Sequence, residues 1–267
     1  MRHRTDFIPT LVLTTGVLAL GPAARATQVA YEGFGPSFPT YANGGSGFSG
    51  PWAQGGFNAF ASGYVLREHS LEGPRLQTSG GSVFGAAFPE INGAIRNLAQ
   101  PVGFDDTVVY LSFVLQPEGH LNNGVFNGFF GLTLNGSFGG DVFFGKPGGG
   151  AVTEYVVETR GGSGQVSSGV STVVGCSALL VVKAEFLAGN DVFTLYVNPP
   201  GDHEPAGGAV KADQDLGIVS RIGIYSTGSF VIDEIRLGTA FADVVPIDHH
   251  RRHADHDDDE HCRADDK

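Results

Sequence analysis

The stretch at residues 179–199, "LLVVKAEFLAGNDVFTLYVNP", decides the fold class of this chain. In its first half, apolar residues alternate with Lys183 and Glu185, which is the pattern of a strand with one buried face. Its second half alternates as far as Pro199, which ends a strand because proline cannot donate to a ladder. Gly189 and Asn190 between the halves suit a hairpin connection. We therefore predict two antiparallel strands, with Leu180, Val182, Ala184 and Phe186 inward on the first, and Phe193, Leu195 and Val197 sharing one face of the second.

The composition extends this prediction along the chain. The 267 residues include 41 glycines and 20 phenylalanines, and only 16% of the chain is charged. Glycine disfavours a helix interior by roughly 1 kcal/mol relative to alanine, and no segment keeps a helical period. Short apolar runs recur between turns, which indicates an all-β sandwich or barrel. The runs are "SVFGAAF", "TVVYLSFVLQ", "VFNGFFGLTLN", "DVFFGK", "EYVVETR", "LLVVKAEF", "DVFTLYVN", "SRIGIYS" and "FVIDEIRLG".

The two ends differ from this body in composition. Residues 1–26 combine a basic start, an apolar core and "ARA" at 24–26, which predicts a signal peptide cleaved after Ala26 and a secreted, extracellular or periplasmic protein. The apolar core is too short for a membrane span. Residues 27–246 are predicted to form the β domain. Residues 247–267 are almost without apolar side chains and are predicted to be a disordered tail, since they cannot repay the entropy of ordering.

Charge and cysteines restrict the partners. The formal net charge is −12, which makes nucleic acid and anionic membranes poor partners. Cys176 and Cys262 are the two cysteines, one in the body and one in the tail. Whether they pair stays open, and two cysteines cannot form a disulfide scaffold.

Three sequence patterns typical of enzymes are incomplete or absent. "GDVFFGKP" at 140–147 has the spacing of a phosphate-binding loop, but Pro147 replaces the Mg²⁺-binding hydroxyl and "DVFF" is typical of a strand. No G-x-S-x-G is present, and His69, His120 and His203 are interpreted as surface residues. No glutamate is followed by an acid two positions later, the spacing that would place two carboxylates on one strand face.

"FVIDEIRLG" at 230–238 contains an acid that needs an explanation. Alternation places Asp233 on the face of Val231, Ile235 and Leu237, with Glu234 on the opposite face. A carboxylate on an apolar face must find hydrogen bonds or an ion. We predict that Asp233 is a buried structural acid that accepts backbone N–H groups. A ligand-binding or calcium role is the alternative.

Two further groups are candidates for binding. Trp52, Phe48 and Tyr41 in a glycine-rich segment either form an aromatic platform for sugar rings or plug the end of the sandwich.

The tail holds five of the nine histidines, interleaved with acids, and composition alone predicts weak Zn²⁺ or Ni²⁺ binding that is lost near pH 5. Ending the chain at Pro246 is expected to abolish this binding and leave thermal stability unchanged; a purely solvating tail is the alternative. The candidate ligands are His249, His250, His253, His256, Asp257, Asp258, Asp259 and His261.

Three stretches in order resemble a known family. They are "YEGF" with "GGSGFSGPW", residues 179–199, and "IDEIRLGTAFADVVP". Over roughly residues 28–246 they resemble the concanavalin A-like, laminin G-like jelly-roll proteins secreted by bacteria. The resemblance implies two antiparallel sheets packed face to face. It departs from the family in two respects: "VVP" leads into the His- and Asp-rich tail in place of a PEP-type sorting signal, and the Glu-x-Asp-x-x-Glu strand of laminarinase-type relatives is absent.

These observations favour a non-catalytic function. We expect a secreted binding or structural module for polysaccharide or for a cell-surface or matrix component. One alternative is a glycan-active hydrolase whose carboxylates come from different strands or loops. The other is a metal-binding secreted protein that acts through its tail.

Overall fold

The computed structural model describes residues 27–35, 44–54, 64–73, 76–149, 152–201, 203–247 and 262. The predicted signal peptide lies outside these residues. Within them, a 3-10 turn spans Val125–Asn127, helix α1 spans Phe241–Val244, and fifteen strands form the rest of the framework. The strands are β1 (Gln28–Glu32), β2 (Ala53–Gln54), β3 (Tyr64–Arg67), β4 (Ser82–Gly85), β5 (Asn92–Val102), β6 (Thr107–Pro117), β7 (Phe130–Gly136), β8 (Val142–Lys146), β9 (Glu154–Thr159), β10 (Ser163–Ser171), β11 (Ala178–Phe186), β12 (Asp191–Val197), β13 (Ala209–Gln214), β14 (Val219–Ser226) and β15 (Phe230–Gly238).

The described strands form two antiparallel sheets that pack face to face. One has eight strands in the order β13-β12-β11-β6-β15-β4-β3, with β1 also paired to β15. The other has seven strands in the order β10-β9-β8-β7-β14-β5-β2. Apolar side chains from both sheets meet in one buried core between them. The predicted all-β, two-sheet jelly-roll sandwich is therefore confirmed.

The predicted hairpin is β11 and β12, which pair with Leu180 opposite Val197 and Ala184 opposite Phe193. The inward face predicted for the first strand lies in the inter-sheet core, as expected. The opposite face is also buried, because α1 and neighbouring residues cover it. Leu179 and Val181 pack there in a second apolar cluster with Phe241 of α1. No helix in the described part of the chain is long and apolar enough to cross a membrane.

A β-bulge corrects the predicted faces of β15. Pairing with β6 shifts register between Asp233 and Arg236, and Glu234 has a φ of 55°. The extra residue at the bulge moves the inward alternation by one position. Ile232, not Val231, therefore shares the core with Ile235 and Leu237. Asp233 consequently points away from the inter-sheet core, opposite to the prediction.

Several strands escaped prediction because their side chains do not alternate in the expected way. β5 places Arg96 between Ala94 and Leu98, at a position where an apolar side chain is expected, and Arg96 is buried. β10 is the edge strand of its sheet and consists mostly of exposed serine and glycine. Edge strands bury little surface, so they carry a weak hydrophobic pattern.

Cys176 and Cys262 form a disulfide with their Cα atoms 5.6 Å apart, which settles the open question of their pairing. Ile247 also forms a β-bridge with Leu76. The segment that carries the tail histidines lies outside the described residues, but it is attached at both ends. Ending the chain at Pro246 would remove Cys262 and the disulfide, so we now expect this truncation to lower thermal stability. Loss of a native disulfide typically costs about 2–4 kcal/mol.

Candidate functional site

The outer face of the seven-stranded sheet carries a groove of about 430 Å³, and a pocket of about 180 Å³ adjoins it. Alternation along the strands decides which side chains face this space. On β7, Leu132 and Leu134 lie in the core, so Thr133 and Asn135 point outward. On β14, β8 and β9, the same alternation places four more side chains on the outer face: Arg221, Tyr225, Phe143 and Glu158.

A row of polar side chains crosses the sheet beside the groove. Arg221 on β14 pairs across to Asn135 on one side and Asn97 on the other. The backbone N–H of Arg160 donates to the carbonyl of Asp141 at 2.7 Å, which places these two residues side by side. We call Asn97, Arg221, Asn135, Asp141 and Arg160 the polar row. It places charged and amide groups next to one another on five different strands or strand ends.

Arg160 connects the polar row to an aromatic wall. Its Nε donates to Asp141 Oδ2 at 2.9 Å, and its Nη1 donates to the Tyr225 hydroxyl at 3.2 Å. The Tyr225 ring contacts Phe129, with centroids 5.2 Å apart, and Phe129 in turn packs edge-on against Phe143. The site therefore combines ring surfaces with hydrogen-bonding groups within one groove.

Phe126 extends this wall into solvent, with 59% of its surface exposed. Its φ of 53° lies in the left-handed region, which is costly for a phenylalanine. The Gly149 N–H donates to its carbonyl at 2.9 Å, and Lys146 Nζ donates to the carbonyls of Asn127 and Pro147 at 2.7 and 3.2 Å. These bonds tie together the two loops that form the wall and hold Phe126 at its rim.

Lys146 is the lysine of the "GDVFFGKP" motif, and the structure explains that motif without a nucleotide. It lies in β8, is fully buried, and has no acidic partner in the described part of the chain. Burial lowers the pKa of Lys146 to about 8. A lysine held on two backbone carbonyls inside the fold is not available to a phosphate.

Two carboxyl groups lie on this face of the sheet: Glu158 lines the groove and Asp141 lines the adjoining pocket. Glu158 on β9 lies opposite Phe143 on β8, and Asp141 immediately precedes β8. Gln165 Nε2 donates to Glu158 at 2.6 Å, whereas Asp141 is paired with Arg160. Burial raises the pKa of Glu158, although its hydrogen bond with Gln165 and the nearby Lys211 ammonium oppose this effect. The sequence gives no spacing signal for Asp141 and Glu158 as a pair, because they belong to different strands.

Glycine keeps the floor low on this face of the sheet, where Gly223 lines the smaller pocket. A Cβ at Gly223, between Arg221 and Tyr225 on β14, would lie 2.7 Å from the Thr133 hydroxyl oxygen. A Cβ at Gly131 on β7 would collide with the Phe144 carbonyl. These two glycines lie within strands, where they leave room above the sheet.

Trp52 and Phe48 belong to a buried cluster at a different place. Trp52 is only 3% exposed, and its indole N–H donates to Glu32 Oε2 at 3.3 Å. The Phe48 ring is partly buried and lies 4.2 Å from the Arg96 guanidinium carbon. Neither ring faces the groove, so the geometry at these two positions matches the plug rather than the sugar platform. Tyr41 lies outside the described residues.

Asp233 is fully buried and accepts three hydrogen bonds. Ser70 Oγ and the Leu71 N–H donate to it at 2.6 and 2.8 Å, and the Glu234 N–H donates at 2.7 Å. Burial, and secondarily the neighbouring Glu234 carboxylate, raise the pKa of Asp233 to about 8. The donors in these bonds connect β15 to the segment around residue 70, which is a structural arrangement.

The histidines of the body do not form a site. His69, His120 and His203 are all exposed, as the sequence indicated. Among the described residues, no three His, Cys, Asp or Glu side chains are grouped to hold a metal ion. The tail ligands His249, His250, His253, His256, Asp257, Asp258, Asp259 and His261 lie outside the described residues, so metal binding by the tail stays a prediction.

No protein-family model and no curated protein sequence matches this chain. Solved structures similar to it include the globular domain of T. cruzi calreticulin, with 10% identity over 80% of this chain and 88% of that chain and a TM-score of 0.49. An endo-1,3-beta-glucanase from Streptomyces sioyaensis has 8% identity over 83% and 99%, with a TM-score of 0.48. Lectin II from Ulex europaeus has 11% identity over 66% and 92%, with a TM-score of 0.38.

Proposed function

We propose that this protein is a secreted glycan-binding module and that the groove on the seven-stranded sheet is its binding site. This proposal rests on the aromatic wall of the groove and on the polar row beside it, which Arg160 and Tyr225 join because both residues line the groove and the adjoining pocket. A sugar ring has an apolar face of C–H groups and an edge of hydroxyls. It therefore suits a site in which rings and hydrogen-bonding side chains lie next to each other.

Each part of the groove has a role in this proposal. Tyr225 and the exposed Phe126 supply ring surfaces for C–H faces. Asn135 and Arg160 supply amide and guanidinium donors for hydroxyl oxygens. Because Arg160 is already held by Asp141 and Tyr225, its donors are positioned before a ligand arrives, which reduces the entropy cost of binding.

Two observations support secretion and a non-catalytic role. The Cys176–Cys262 disulfide fits an oxidising compartment outside the cytoplasm, in agreement with the predicted signal peptide. Asp141, the acid of the adjoining pocket, is paired with Arg160, so it is engaged as a structural partner of a binding residue. A hydrolase that uses Glu158 is the competing outcome of the experiment below.

The test is a glycan array run beside a reducing-sugar assay on the same polysaccharides. Binding without product release supports the module, and product release that Glu158→Gln abolishes supports a hydrolase. Absence of both binding and product would overturn the proposal.

A matched pair of phenylalanines locates the site. Phe126→Ala removes an exposed ring at the groove, and Phe138→Ala removes a ring that is 72% exposed on the loop between β7 and β8. We expect Phe126→Ala to weaken glycan binding at least tenfold while Phe138→Ala leaves it unchanged. Equal effects of the two substitutions would place the binding surface elsewhere.

A further inference from the structure

Arg221 lines the pocket that adjoins the groove, and the proposed function assigns it no role. It lies on β14, a central strand of its sheet, and its side chain is exposed at the smaller pocket. Within the described residues, its guanidinium makes neither a hydrogen bond nor an ion pair. Arg160, the other arginine of the polar row, is by contrast neutralised by Asp141 at 2.9 Å.

The surroundings of Arg221 suit an anionic group. Its cross-strand neighbours are Asn97 and Asn135, which are neutral amides. Asp141 is the single acid of the polar row and is already paired with Arg160, so the lining of the smaller pocket combines two arginines with one carboxylate. A planar guanidinium presents paired N–H groups that match the two oxygens of a carboxylate. An ammonium or a neutral amide would not select a carboxylate in this way.

We propose that the groove binds acidic glycans and that Arg221 takes the carboxylate of a uronic acid residue. This inference rests on the proposed glycan-binding function and specifies its ligand class. The carboxylate would lie on Arg221, hydroxyls of the same sugar would reach Asn135, and the ring would lie over the glycine floor at Gly223 toward Tyr225. All four of these residues line the pocket of about 180 Å³.

Because the chain as a whole is negatively charged, we expect the attraction of an acidic glycan to depend on Arg221. The chain carries a formal charge of −12, which repels a polyanion at long range. Attraction to an acidic glycan must then come from local contacts, and the loss of one cation should have a large effect.

The experiment compares uronic acid oligosaccharides with their carboxyl-reduced counterparts by isothermal titration calorimetry. The panel contains galacturonate, mannuronate, guluronate and glucuronate oligomers, and reduction replaces only the charged group. The full-length protein should bind at least one acidic oligomer about tenfold or more tighter than its reduced form. Arg221→Gln should remove that preference, and Arg221→Lys should retain only part of it.

Arg67→Gln is the matched control, since Arg67 is a partly exposed arginine on β3 of the other sheet. It should leave the preference intact. If neutral glycans bind in a Phe126-dependent manner and no acid is preferred, the inference about Arg221 is wrong while the proposed function stands. If Arg221→Gln weakens acidic and reduced ligands equally, Arg221 does not read the carboxylate. If no glycan of any kind binds, both proposals fail.

Discussion

Removal of Glu32 should destabilise the fold more than removal of any exposed acid. Glu32 on β1 is fully buried and forms an ion pair with Arg96 on β5, which is only 2% exposed. Its carboxylate also accepts the Phe34 N–H at 2.9 Å and the Trp52 indole N–H at 3.3 Å. Arg96 in turn donates to the carbonyls of Gly50 and Gly44. The Glu32–Arg96 ion pair and its hydrogen bonds therefore connect β1 and the glycine-rich segment 44–52 to β5 of the seven-stranded sheet.

The magnitude follows from what Glu32→Ala leaves behind. Arg96 would remain buried without a counter-charge, and two N–H groups would lose their acceptor. Removal of one partner of a buried ion pair costs about 3–5 kcal/mol. In a domain of this size, 1 kcal/mol lowers Tm by roughly 2–4 °C, so Glu32→Ala should lower Tm by roughly 6–20 °C.

The assay is urea unfolding of the wild type, Glu32→Ala, Arg96→Ala and the double variant. The double variant should cost clearly less than the sum of the singles, with a coupling energy of about 2 kcal/mol, because the second substitution removes the stranded charge. Glu118→Ala is the control, since it breaks the exposed pair with Arg67 and should cost about 0–1 kcal/mol. Additive single effects, or a Glu32→Ala cost no larger than that of Glu118→Ala, would refute this reasoning.

Two further predictions concern Asp233 and the tail. Because burial raises the pKa of Asp233 from 3.8 to about 8, the folded chain retains a proton that the unfolded chain releases, and stability should fall by roughly 2–4 kcal/mol as pH rises from 4 to 8. Asp233→Asn should flatten this decline in urea titrations at pH 5 and 8, and an unchanged decline would assign it to other groups. For the tail, alanine replacement of its five histidines, with Cys262 kept, should abolish Zn²⁺ binding at pH 7.5 and leave Tm unchanged. Calorimetry that still detects equal Zn²⁺ binding would place the metal site in the β domain.

The sequence alone was sufficient for the features that depend on local periodicity. Alternation within 179–199 predicted β11 and β12 and the inward face of β11, because the side-chain period of a strand is two whatever it packs against. The strand character of "DVFF" also excluded a phosphate loop at 140–147, and Lys146 is indeed buried in β8. Asp233 could be singled out because a carboxylate in an apolar run requires partners.

Only the tertiary structure could decide the features that depend on pairing between distant strands. The bulge at Glu234 puts Val231 and Asp233 on the face opposite to Ile235 and Leu237, since one extra residue shifts every later side chain. The polar row joins residues separated by up to 124 positions between Asn97 and Arg221, and strand order rather than spacing brings them together. Strand pairing likewise places Glu158 beside Phe143, and tertiary packing places Arg96 beneath Trp52. A groove built across several strands has no sequence motif, because each strand contributes one or two side chains and only the register between strands places them side by side.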